Sequence, residues 1–577
     1  MPWDRLFAPA GFRCFGRPVL LTWVISACCL LPVGCGVPSA EGPADTYFRD
    51  FSMPPGSPQR GAIIFLIDGV NATVFQQMLD AGELPAFKKY FMDRGLYCPR
   101  TVCSIPSITL VNETSVVTGV FPGHHGVIGN NWFDRNQLIW RNYAQIAQKD
   151  RLDRDYDAPT IYEQFPDELT CSLFCQAHRG ATKFVENWTS AGPPFFFGWY
   201  EFVDRLTLSR FDLVMDTARK YGQFPAVTTV YLLAADFGAY GSGVGSPQYR
   251  AAMRHTDRQI GRVLGDIERA GLLDKIVITL ISDHGLADVK RHFPIRQFLG
   301  RNLGLDVASA HWRENDPFEE RLRDYERSNA VLFGSGERYG SICLRRPVRK
   351  GGKVVGLEPW LVRPTPEDLR SYPTKKGTVD LLGGLIEQEA MDALAYKVAD
   401  DRVRVLRKTG EVEFRQAGRN GPISYHVIAG TDPLGWQGKV PREALSGKPV
   451  SGRQWLKLTI GTDFPDLPEQ ILVFFHARKA GDIAVFAAPG WDLNSAHKAG
   501  HGGLRPGDMV IPMVLAGPGV PHGQLETARS IDLMPTLLTL LGRKLPANLD
   551  GVSLLQSPTA SQDPEPQRPR QSRDERR

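Results

Sequence analysis

The chain has little of several features that would mark it as a specialised protein. Its 577 residues carry a net charge of only +5, and no basic stripe interleaved with aromatic residues is present, so a nucleic-acid-binding surface is not expected. No internal repeats are seen, and beyond the N-terminal region no stretch is apolar enough to span a bilayer. With 42% hydrophobic and 23% charged residues, the composition is that of a globular protein with a large domain plus an insertion or a second domain.

Cysteine is also sparse, with nine residues of which four lie in the first 35. In an oxidising compartment, Cys98 with Cys103 and Cys171 with Cys175 could form disulfides. Cys171, Cys175 and the nearby His178 have ligand atoms for a metal, but no second ligand pair accompanies them. A zinc site is therefore not expected at these cysteines.

The N-terminal region is typical of an export signal. Three arginines precede the apolar stretch Val19–Val33, which is short for a membrane span. Ile25–Cys28 resembles a bacterial lipobox, and a poorer one ends at Cys35. We therefore expect an exported protein, periplasmic or at the cell surface, with a lipid anchor at Cys28 or Cys35 or else a plain secretory signal or an uncleaved anchor.

Composition and pattern divide the chain into six parts. Between the two parts of the core, residues are more charged and contain short alternating runs such as Arg402–Arg407 and Ile471–Phe475, which indicates an inserted α+β cap. The expected parts are a signal at 1–35, a linker at 36–60, a first core segment at 61–300, the cap at 301–480, a second core segment at 481–555 and a disordered tail at 556–577.

Carboxylates follow three apolar runs that are typical of buried strands. Asp283 and His284 follow Ile276–Ser282, Asp68 follows Gly61–Ile67, and Asp236 follows a run that ends at Ala235. Open α/β sheets bind their ligands at the carboxyl ends of strands. Three carboxylates at one such edge would repel each other unless a cation held them.

Histidine completes this set of possible metal ligands. His501 lies in a Gly-His-Gly-Gly segment just before Val510–Ala516, a probable fourth strand. Carboxylate oxygens together with imidazoles suit zinc or manganese better than calcium. The sequence therefore predicts a divalent-cation site built from Asp68, Asp236, Asp283, His284 and His501.

A nucleophile for such a site is offered by the segment Cys103–Gly119. Leu110 to Gly119 can form a helix with Thr109 at its N-terminal end, where an anion would meet unpaired N–H groups and the positive end of the helix dipole. A bound metal can hold a threonine hydroxyl as an alkoxide. Ser104 and Ser107 are rival nucleophiles, and Thr109 could instead be a simple helix cap.

These motifs resemble those of the type I phosphodiesterase/nucleotide pyrophosphatase family of the alkaline phosphatase superfamily. The family pattern around its nucleophile lies over Pro106–Gly126, and the resemblance covers about 61–300 and 481–555. It implies a doubly wound, mostly parallel α/β sheet with helices on both faces. It also implies that Thr109 is the nucleophile and that Asn112 binds phosphate.

The resemblance further implies two divalent metal ions, zinc or manganese. One would be held by four residues, which are Asp68, Thr109, Asp283 and His284. The other would be held by Asp236, His501 and a histidine four residues after Asp236, where this chain has Tyr240 instead. Either Tyr240 is a ligand, or His497 or His255 replaces it, or the second metal binds weakly.

The expected activity is cleavage of phosphodiester or pyrophosphate bonds in a small phosphorylated substrate, such as a nucleotide, through a phosphothreonine intermediate. A phosphomonoesterase or phosphotransferase on the same scaffold is an alternative, and so is a non-catalytic metal-binding surface lipoprotein. A sulfatase is disfavoured because Ile108 stands where that class has arginine. Val111 and Glu113 also depart from the family pattern.

Other histidines and the tryptophans are expected to be structural. His125 falls in a turn of the family pattern, and His124 is expected at the surface. Trp360, Trp436 and Trp455 could stack on a base or a sugar, but burial in the core is the expectation for each.

Overall fold

A computed structural model describes residues 60–144, 149–185, 188–309, 311–418, 420–493 and 496–555. The predicted signal at 1–35, the lipid attachment at Cys28 or Cys35, the linker apart from its last residue, and the tail at 556–577 lie outside the described residues. In the described part, no helix is both long enough and apolar enough to cross a membrane.

The strands, numbered in chain order, are β1 Gly61–Ile67, β2 Gly95–Val102, β3 Asn131–Asp134, β4 Ile139–Asn142, β5 Thr170–Leu173, β6 Lys183–Val185, β7 Val227–Leu232, β8 Ile276–Ser282, β9 Ala287–His292, β10 Ala330–Ser335, β11 Tyr339–Leu344, β12 Pro347–Lys350, β13 Lys353–Leu357, β14 Tyr372–Thr374, β15 Gly377–Val379, β16 Met391–Ala399, β17 Arg402–Arg407, β18 Gly410–Gln416, β19 Ile423–Gly430, β20 Ile483–Ala487, β21 Gly490–Asp492, β22 Ala499–Gly500, β23 Val510–Ala516, β24 Gly523–Gln524 and β25 Ala528–Arg529.

The α-helices are α1 Ala72–Asp80, α2 Pro85–Phe87, α3 Thr109–Thr118, α4 Pro122–His125, α5 Trp188–Phe196, α6 Tyr200–Ser209, α7 Phe211–Tyr221, α8 Ala234–Ser242, α9 Pro247–Arg269, α10 Ile295–Gln297, α11 Phe318–Glu326, α12 Pro366–Arg370, α13 Leu381–Ile386, α14 Gly452–Thr459, α15 Leu467–Phe474, α16 Pro506–Met509 and α17 Leu533–Leu540.

The main sheet has nine strands in the order β24-β2-β23-β8-β1-β7-β5-β6, with β25 also paired to β2. Strands β8, β1, β7, β5 and β6 run parallel to one another, whereas β23 is antiparallel to both β2 and β8. The sheet is therefore mixed and mostly parallel. This confirms the predicted α/β fold class.

The two faces of the main sheet are both covered. Every residue of β1, β7, β8 and β23 is buried, as expected for strands with helices on either side. Alternate side chains of β1 enter different cores, with Ile64 on one face and Ile63 and Phe65 on the other. Helical side chains share both cores, with Val111 of α3 on the first face and Ile260 of α9 on the second, so helices cover both faces as predicted.

A second, antiparallel sheet has the order β10-β11-β20-β16-β17-β18-β19. Its strands span 330–487, so its last strand lies beyond the predicted end of the cap at 480. The division into core and cap remains a prediction. Trp360, Trp436 and Trp455 are buried, as expected, and are 0–3% exposed.

One of the two alternating runs used to predict the cap is a helix. Arg402–Arg407 forms β17, but Ile471–Phe475 lies in α15 and the residue after it. The five residues of this run are all apolar, and Pro468 sits at the start of the helix, where proline is favoured. A short apolar run has no periodicity that separates a buried strand from a buried helix.

Candidate metal centre

The carboxyl ends of β1 and β8 bring two of the predicted carboxylates together. In the register of the sheet, Ile67 of β1 pairs with Leu232 of β7 and with Ser282 of β8. The next residues along β1 and β8 are Asp68 and Asp283, and both side chains are buried. The adjacency of these two carboxylates follows directly from the pairing of the strands.

Asp236 reaches the same edge from a helix instead of a strand end. The run predicted to extend to Ala235 ends as a strand at Leu232, and Asp236 lies in the first turn of α8. Gly69 allows the close approach of this helix, because a Cβ atom built on it would lie 2.7 Å from Oδ1 of Asp236. Gly69 also has a φ of +67°, a backbone conformation that glycine adopts readily.

The first ligand cluster surrounds one imidazole nitrogen. Nε2 of His284 lies 3.3 Å from Oδ1 of Asp68 and 3.4 Å from Oδ2 of Asp283. The same nitrogen lies 3.1 Å from Oγ1 of Thr109. The other ring nitrogen is 2.9 Å from the carbonyl oxygen of Gly285, which fixes the orientation of the ring. The four residues predicted for the first metal are thus together.

The second ligand cluster contains Asp236, His284 and His501, which have ligand atoms within 4.8 Å of one another. Nδ1 of His501 is 2.8 Å from the carbonyl oxygen of Ser107, and its Nε2 is 3.0 Å from the hydroxyl of Tyr240. Tyr240 lies one helical turn after Asp236 on α8. The phenol therefore occupies the edge of this cluster.

The chemistry of the clustered side chains fits divalent cations. Three buried carboxylate oxygens, Oδ1 of Asp68, Oδ1 of Asp236 and Oδ2 of Asp283, have no hydrogen-bond partner among the described residues. Burial, followed by the repulsion of neighbouring carboxylates, raises the pKa values of Asp68 and Asp236 well above the usual range. A bound cation would remove this cost by pairing the buried charges.

The imidazoles are neutral, which is the form that ligates a metal. Burial lowers the pKa of His284 to about 3, and burial together with His284 lowers that of His501 to about 3. These residues therefore add donor nitrogens to the carboxylate cluster without adding positive charge.

The hydroxyl of Thr109 lies at the first ligand cluster. Thr109 is the first residue of α3, next to His284. Ser107 is fully buried, and its Oγ donates to the carbonyl oxygen of Gly503 and accepts the N–H of Gly502, 3.1 Å each. Ser104 is 1% exposed. The helix expected over Leu110–Gly119, with Thr109 at its N-terminal end, forms as α3, but it ends at Thr118, and Gly119 has the left-handed conformation.

Asn112 lies beneath the loop that precedes α3. Its Oδ1 accepts the N–H of Ser104 at 2.6 Å, and its Nδ2 lies 3.2 Å from the carbonyl oxygens of Ser104, Pro106 and Ile108. The amide is therefore engaged with the backbone of the loop that positions Thr109. Its predicted role in phosphate binding stays a prediction.

Sequence reasoning missed Asn130. Its Oδ1 accepts the N–H of Leu110 at 3.2 Å, which places the carboxamide beside the N-terminal end of α3 and next to Thr109. The signal in the sequence was weak, because Asn130 follows the pattern Pro106–Gly126 by four residues and lies next to a second asparagine.

The two histidines suggested as replacements near Tyr240 lie in different places. The ring of His497 stacks on that of Tyr240 with centroids 4.5 Å apart, so His497 is at the edge of the second cluster. His255 lies on α9, where its Nδ1 is 3.5 Å from Oε2 of Glu201. His255 therefore belongs to a different neighbourhood.

His125 and His124 differ in how well the sequence predicted them. His125 is structural, as expected: it is buried, and its Nε2 is 3.0 Å from Oγ of Ser115. His124 is not a surface residue, because its side chain is 10% exposed and its Nδ1 is 2.7 Å from Asp550. Its ring also stacks on that of His476, a contact across some 350 positions that no local pattern reveals.

The suggested disulfides are wrong. All five described cysteines are free and buried. Cys98 lies within β2 and Cys103 directly after it, so an extended backbone separates them by roughly 15 Å, far beyond the span of a disulfide. The thiol of Cys175 instead contacts Glu113 at 3.5 Å.

The architecture of the main sheet is that of the alkaline phosphatase-like α/β proteins. Residues 62–332 match the family model of type I phosphodiesterase / nucleotide pyrophosphatase, so the family resemblance predicted from the motifs is confirmed. An uncharacterised pyrophosphatase/phosphodiesterase of Schizosaccharomyces pombe is 24% identical over 39% of this chain and 49% of its own length. Ectonucleotide pyrophosphatase/phosphodiesterase family member 1 of Mus musculus is 23% identical over 44% of this chain and 26% of its own length. The chain thus spans half or less of these relatives.

Solved structures show the same fold. Human ectonucleotide pyrophosphatase / phosphodiesterase 5 superimposes with a TM-score of 0.52 at 14% identity, covering 85% of this chain and 97% of that one. The murine protein of the same name, in an inactive form in complex with AMP, gives the same values. At this identity the likeness concerns the fold alone.

Proposed function

We propose that this protein is a metal-dependent hydrolase that cleaves phosphodiester or pyrophosphate bonds through a covalent phosphothreonine on Thr109. The observation that carries the proposal is the position of the Thr109 hydroxyl, 3.1 Å from Nε2 of His284 at the start of α3. Buried carboxylate oxygens of Asp68 and Asp283 without hydrogen-bond partners in the described structure lie at the same place. The match of residues 62–332 to the family supports this activity.

Two divalent cations, zinc or manganese, fit the ligand atoms. Asp68, Thr109, Asp283 and His284 would hold one, and Asp236 and His501 with Tyr240 would hold the other. When bound, the cations would supply positive charge that favours the alkoxide form of threonine and offsets charge on the phosphoryl oxygens.

The protein's own groups set up the attack. Tyr231 donates its hydroxyl to Oδ2 of Asp68, which leaves Oδ1 directed to the side of His284. Oγ1 of Thr109 forms a bond to phosphorus while the bond to the leaving oxygen breaks, and water then cleaves the Thr109–phosphorus bond. The products are a phosphate monoester and an alcohol, or two phosphates from a pyrophosphate. Asn130 and the N-terminal end of α3 lie where they can contact the phosphoryl oxygens.

The proposed substrate is a small phosphorylated molecule, a nucleotide or another phosphodiester. The AMP complex of the murine structural relative supports a nucleotide. Specificity would come from loops around the site and from the proposed cap at 301–480. Export is part of the proposal and rests on the N-terminal sequence, with lipid attachment at Cys28 or Cys35 as its finer form.

Replacing Thr109 tests the nucleophile. Thr109→Val removes the hydroxyl and keeps the shape, so hydrolysis of bis-p-nitrophenyl phosphate should be lost, whereas Thr109→Ser should retain part of it. Ser104→Ala is the matched control, since it removes a rival hydroxyl from the same loop and should leave turnover intact. Mass spectrometry of acid-quenched turnover should find the adduct on the peptide that contains Thr109. Equal activity of Thr109→Val and Ser104→Ala would refute the assignment.

Tyr240 favours a second candidate, a metal-binding protein without catalysis, because a phenol replaces a third strong ligand at the second cluster. Metal analysis separates the two. Two cations per chain with diester hydrolysis supports the hydrolase, and one cation without turnover of any ester supports the binding protein. Preference for mono-p-nitrophenyl phosphate would indicate a phosphomonoesterase.

A further inference from the structure

Glu337 lies in the turn between β10 and β11 in a conformation that is unfavourable for its residue type. Its φ is +72°, and the preceding Gly336 has a φ of +66°. The left-handed region is a natural place for glycine but costs free energy for a glutamate. Outliers of this kind concentrate at functional sites, where the surrounding structure holds them in place.

The turn is attached to His501 of the second cluster. The N–H of His501 donates to the carbonyl oxygen of Gly336 at 2.7 Å, and the N–H of Arg338 donates to the carbonyl oxygen of His501 at 3.1 Å. A Cβ atom on Gly336 would lie 2.5 Å from Nδ1 of His501. The close approach therefore requires glycine at 336 and brings the next residue, Glu337, to the cluster.

Arg338 holds the turn from its other side. Its Nε donates to Oδ1 of Asp508 at 2.8 Å and its Nη1 to the carbonyl oxygen of Trp491 at 2.8 Å. The carbonyl oxygen of Glu337 accepts the N–H of Leu493 at 2.8 Å. These contacts fix the backbone of Glu337, so its position does not depend on its own side chain.

The side chain of Glu337 is linked to the second cluster through two aromatic rings. Its Oε1 lies 3.5 Å from Nδ1 of His497, and the His497 ring stacks on Tyr240. The hydroxyl of Tyr240 in turn contacts Nε2 of His501. These contacts connect the carboxylate of Glu337 to the ligands of the second cluster.

The net charge of the second ligand cluster indicates what the carboxylate of Glu337 would do. Asp236 is the single carboxylate of the second ligand cluster, and His501 and Tyr240 are neutral donors. One negative charge only half balances a divalent cation. Glu337 supplies a second negative charge at a side chain that is 28% exposed, on the outer side of Tyr240.

We propose that Glu337, oriented by His497, is a positioning residue that strengthens cation binding at the Asp236–His501 cluster and compensates for Tyr240. The inference rests on the proposed metal-dependent function. It assigns to the turn between β10 and β11, which is remote in sequence from every motif of the site, a role in holding the second cation.

Two substitutions at one position test the proposal, because they separate charge from backbone strain. Glu337→Gln removes the charge and keeps the strain, whereas Glu337→Gly removes both. Zinc and manganese binding would be measured by isothermal titration calorimetry on the full chain, together with the absorption of bound Co²⁺ and the midpoint of thermal unfolding without metal. Both variants should bind the weaker of the two cations about tenfold to a hundredfold less tightly, with the tighter one unchanged.

The unfolding midpoint should move in a different direction from cation affinity. Glu337→Gly should unfold at a higher temperature than the wild type because the turn no longer holds a glutamate in the left-handed region. Asn548→Gly is the control, since Asn548 also has a positive φ, of 64°, and belongs to no part of the cluster. Its cation affinities should equal those of the wild type.

A double-mutant cycle with Asp236→Asn locates the effect. If Glu337 acts on the second cation, then Glu337→Gln should cost no further affinity once Asp236 has been replaced. Unchanged cation affinities in both Glu337 variants, with a gain in stability for the glycine variant, would overturn the inference and leave a purely structural turn. A wild-type chain that binds no cation would instead refute the proposed function itself.

Discussion

The imidazole rings of His284 and His501 are stacked, with centroids 3.6 Å apart and 11° between their planes. One ring comes from the end of β8 and the other from the loop before α16, more than 200 residues later. Because His284 has ligand atoms in both carboxylate clusters, the stack joins the two clusters into one centre. Loss of the His284 imidazole is therefore expected to weaken both clusters.

Replacement of Asp68 should raise the stability of the metal-free protein but weaken cation binding. In Asp68→Asn one of the mutually repelling buried carboxylates is gone, so the metal-free protein should be more stable at neutral pH than the wild type. Addition of zinc should stabilise the wild type by about 2.7 kcal/mol at a hundredfold excess over its dissociation constant. The variant should lose most of this gain in a thermal shift titration.

The matched control for Asp68 is Asp204, another buried carboxylate, which accepts the N–H groups of Leu233 and Ala234. Asp204→Asn should keep the full stabilisation by zinc. If both variants respond to zinc as the wild type does, Asp68 is not a ligand.

Replacing Asn130 should affect mainly catalysis, whereas replacing Asn112 should affect mainly the free energy of unfolding. Asn130→Ala should lower kcat/KM by about 10²–10³, as for the loss of one donor to a developing charge, with little change in the free energy of unfolding. Asn112→Ala removes a buried amide that holds the Thr109 loop, so it should cost about 1–3 kcal/mol of stability. Diester kinetics and urea unfolding of both variants measure the two effects, and a reversed pattern would favour Asn112 as the phosphate contact.

The raised pKa of Glu113 predicts that the free energy of unfolding depends on pH. Burial is the main cause that raises its pKa from 4.5 to about 8, so the folded protein retains a proton that the unfolded chain loses near pH 4.5. Its contribution to stability is fully present below that pH and falls by up to about 1.4 kcal/mol per unit as the pH rises to about 8.

Glu113→Gln cannot ionise and should therefore become more stable than the wild type as the pH rises through this window, with the two converging below it. Urea unfolding at several pH values measures the difference. The exposed Glu387→Gln serves as the control and should follow the wild type throughout. Parallel curves for Glu113→Gln and the wild type would show that Glu113 is ionised in the fold.

A buried ion pair outside the two ligand clusters should have a large effect on the free energy of unfolding. Arg529 donates to both carboxylate oxygens of Asp466 at 2.6 and 2.7 Å, and both side chains are at most 2% exposed. Oε2 of Glu469 also lies 2.6 Å from Nη1 of Arg529, so Asp466→Asn removes one of two paired carboxylates and should cost about 1–3 kcal/mol in chemical unfolding. Asp216→Asn breaks the exposed pair with Arg219 and should change stability by less than about 1 kcal/mol.

Several strands could be predicted to the residue from sequence. β1, β8 and β23 are mostly apolar runs, and each forms the strand over the range expected. The strand predicted to end at Ala235 ends at Leu232. The next three residues are equally apolar, but they form the start of α8. The local pattern thus predicts where β1 and β8 end. Because these strands pair in parallel, their ends place Asp68 beside Asp283.

The contacts that complete the centre could not be predicted, because they join segments distant in the chain. Glu337 is about 160 residues from His497, and Asn130 contacts the start of α3 from a position 20 residues after Leu110. The free thiols were missed for a different reason: spacing in sequence says nothing about the extended backbone that separates Cys98 from Cys103. In each case the missing information was tertiary geometry.

The five cysteines of the described core are buried free thiols, so they can report on opening of the fold. Because each thiol is enclosed by packed side chains, alkylating reagents reach it only when the chain opens. The rate at which these cysteines are alkylated therefore measures how often the fold opens.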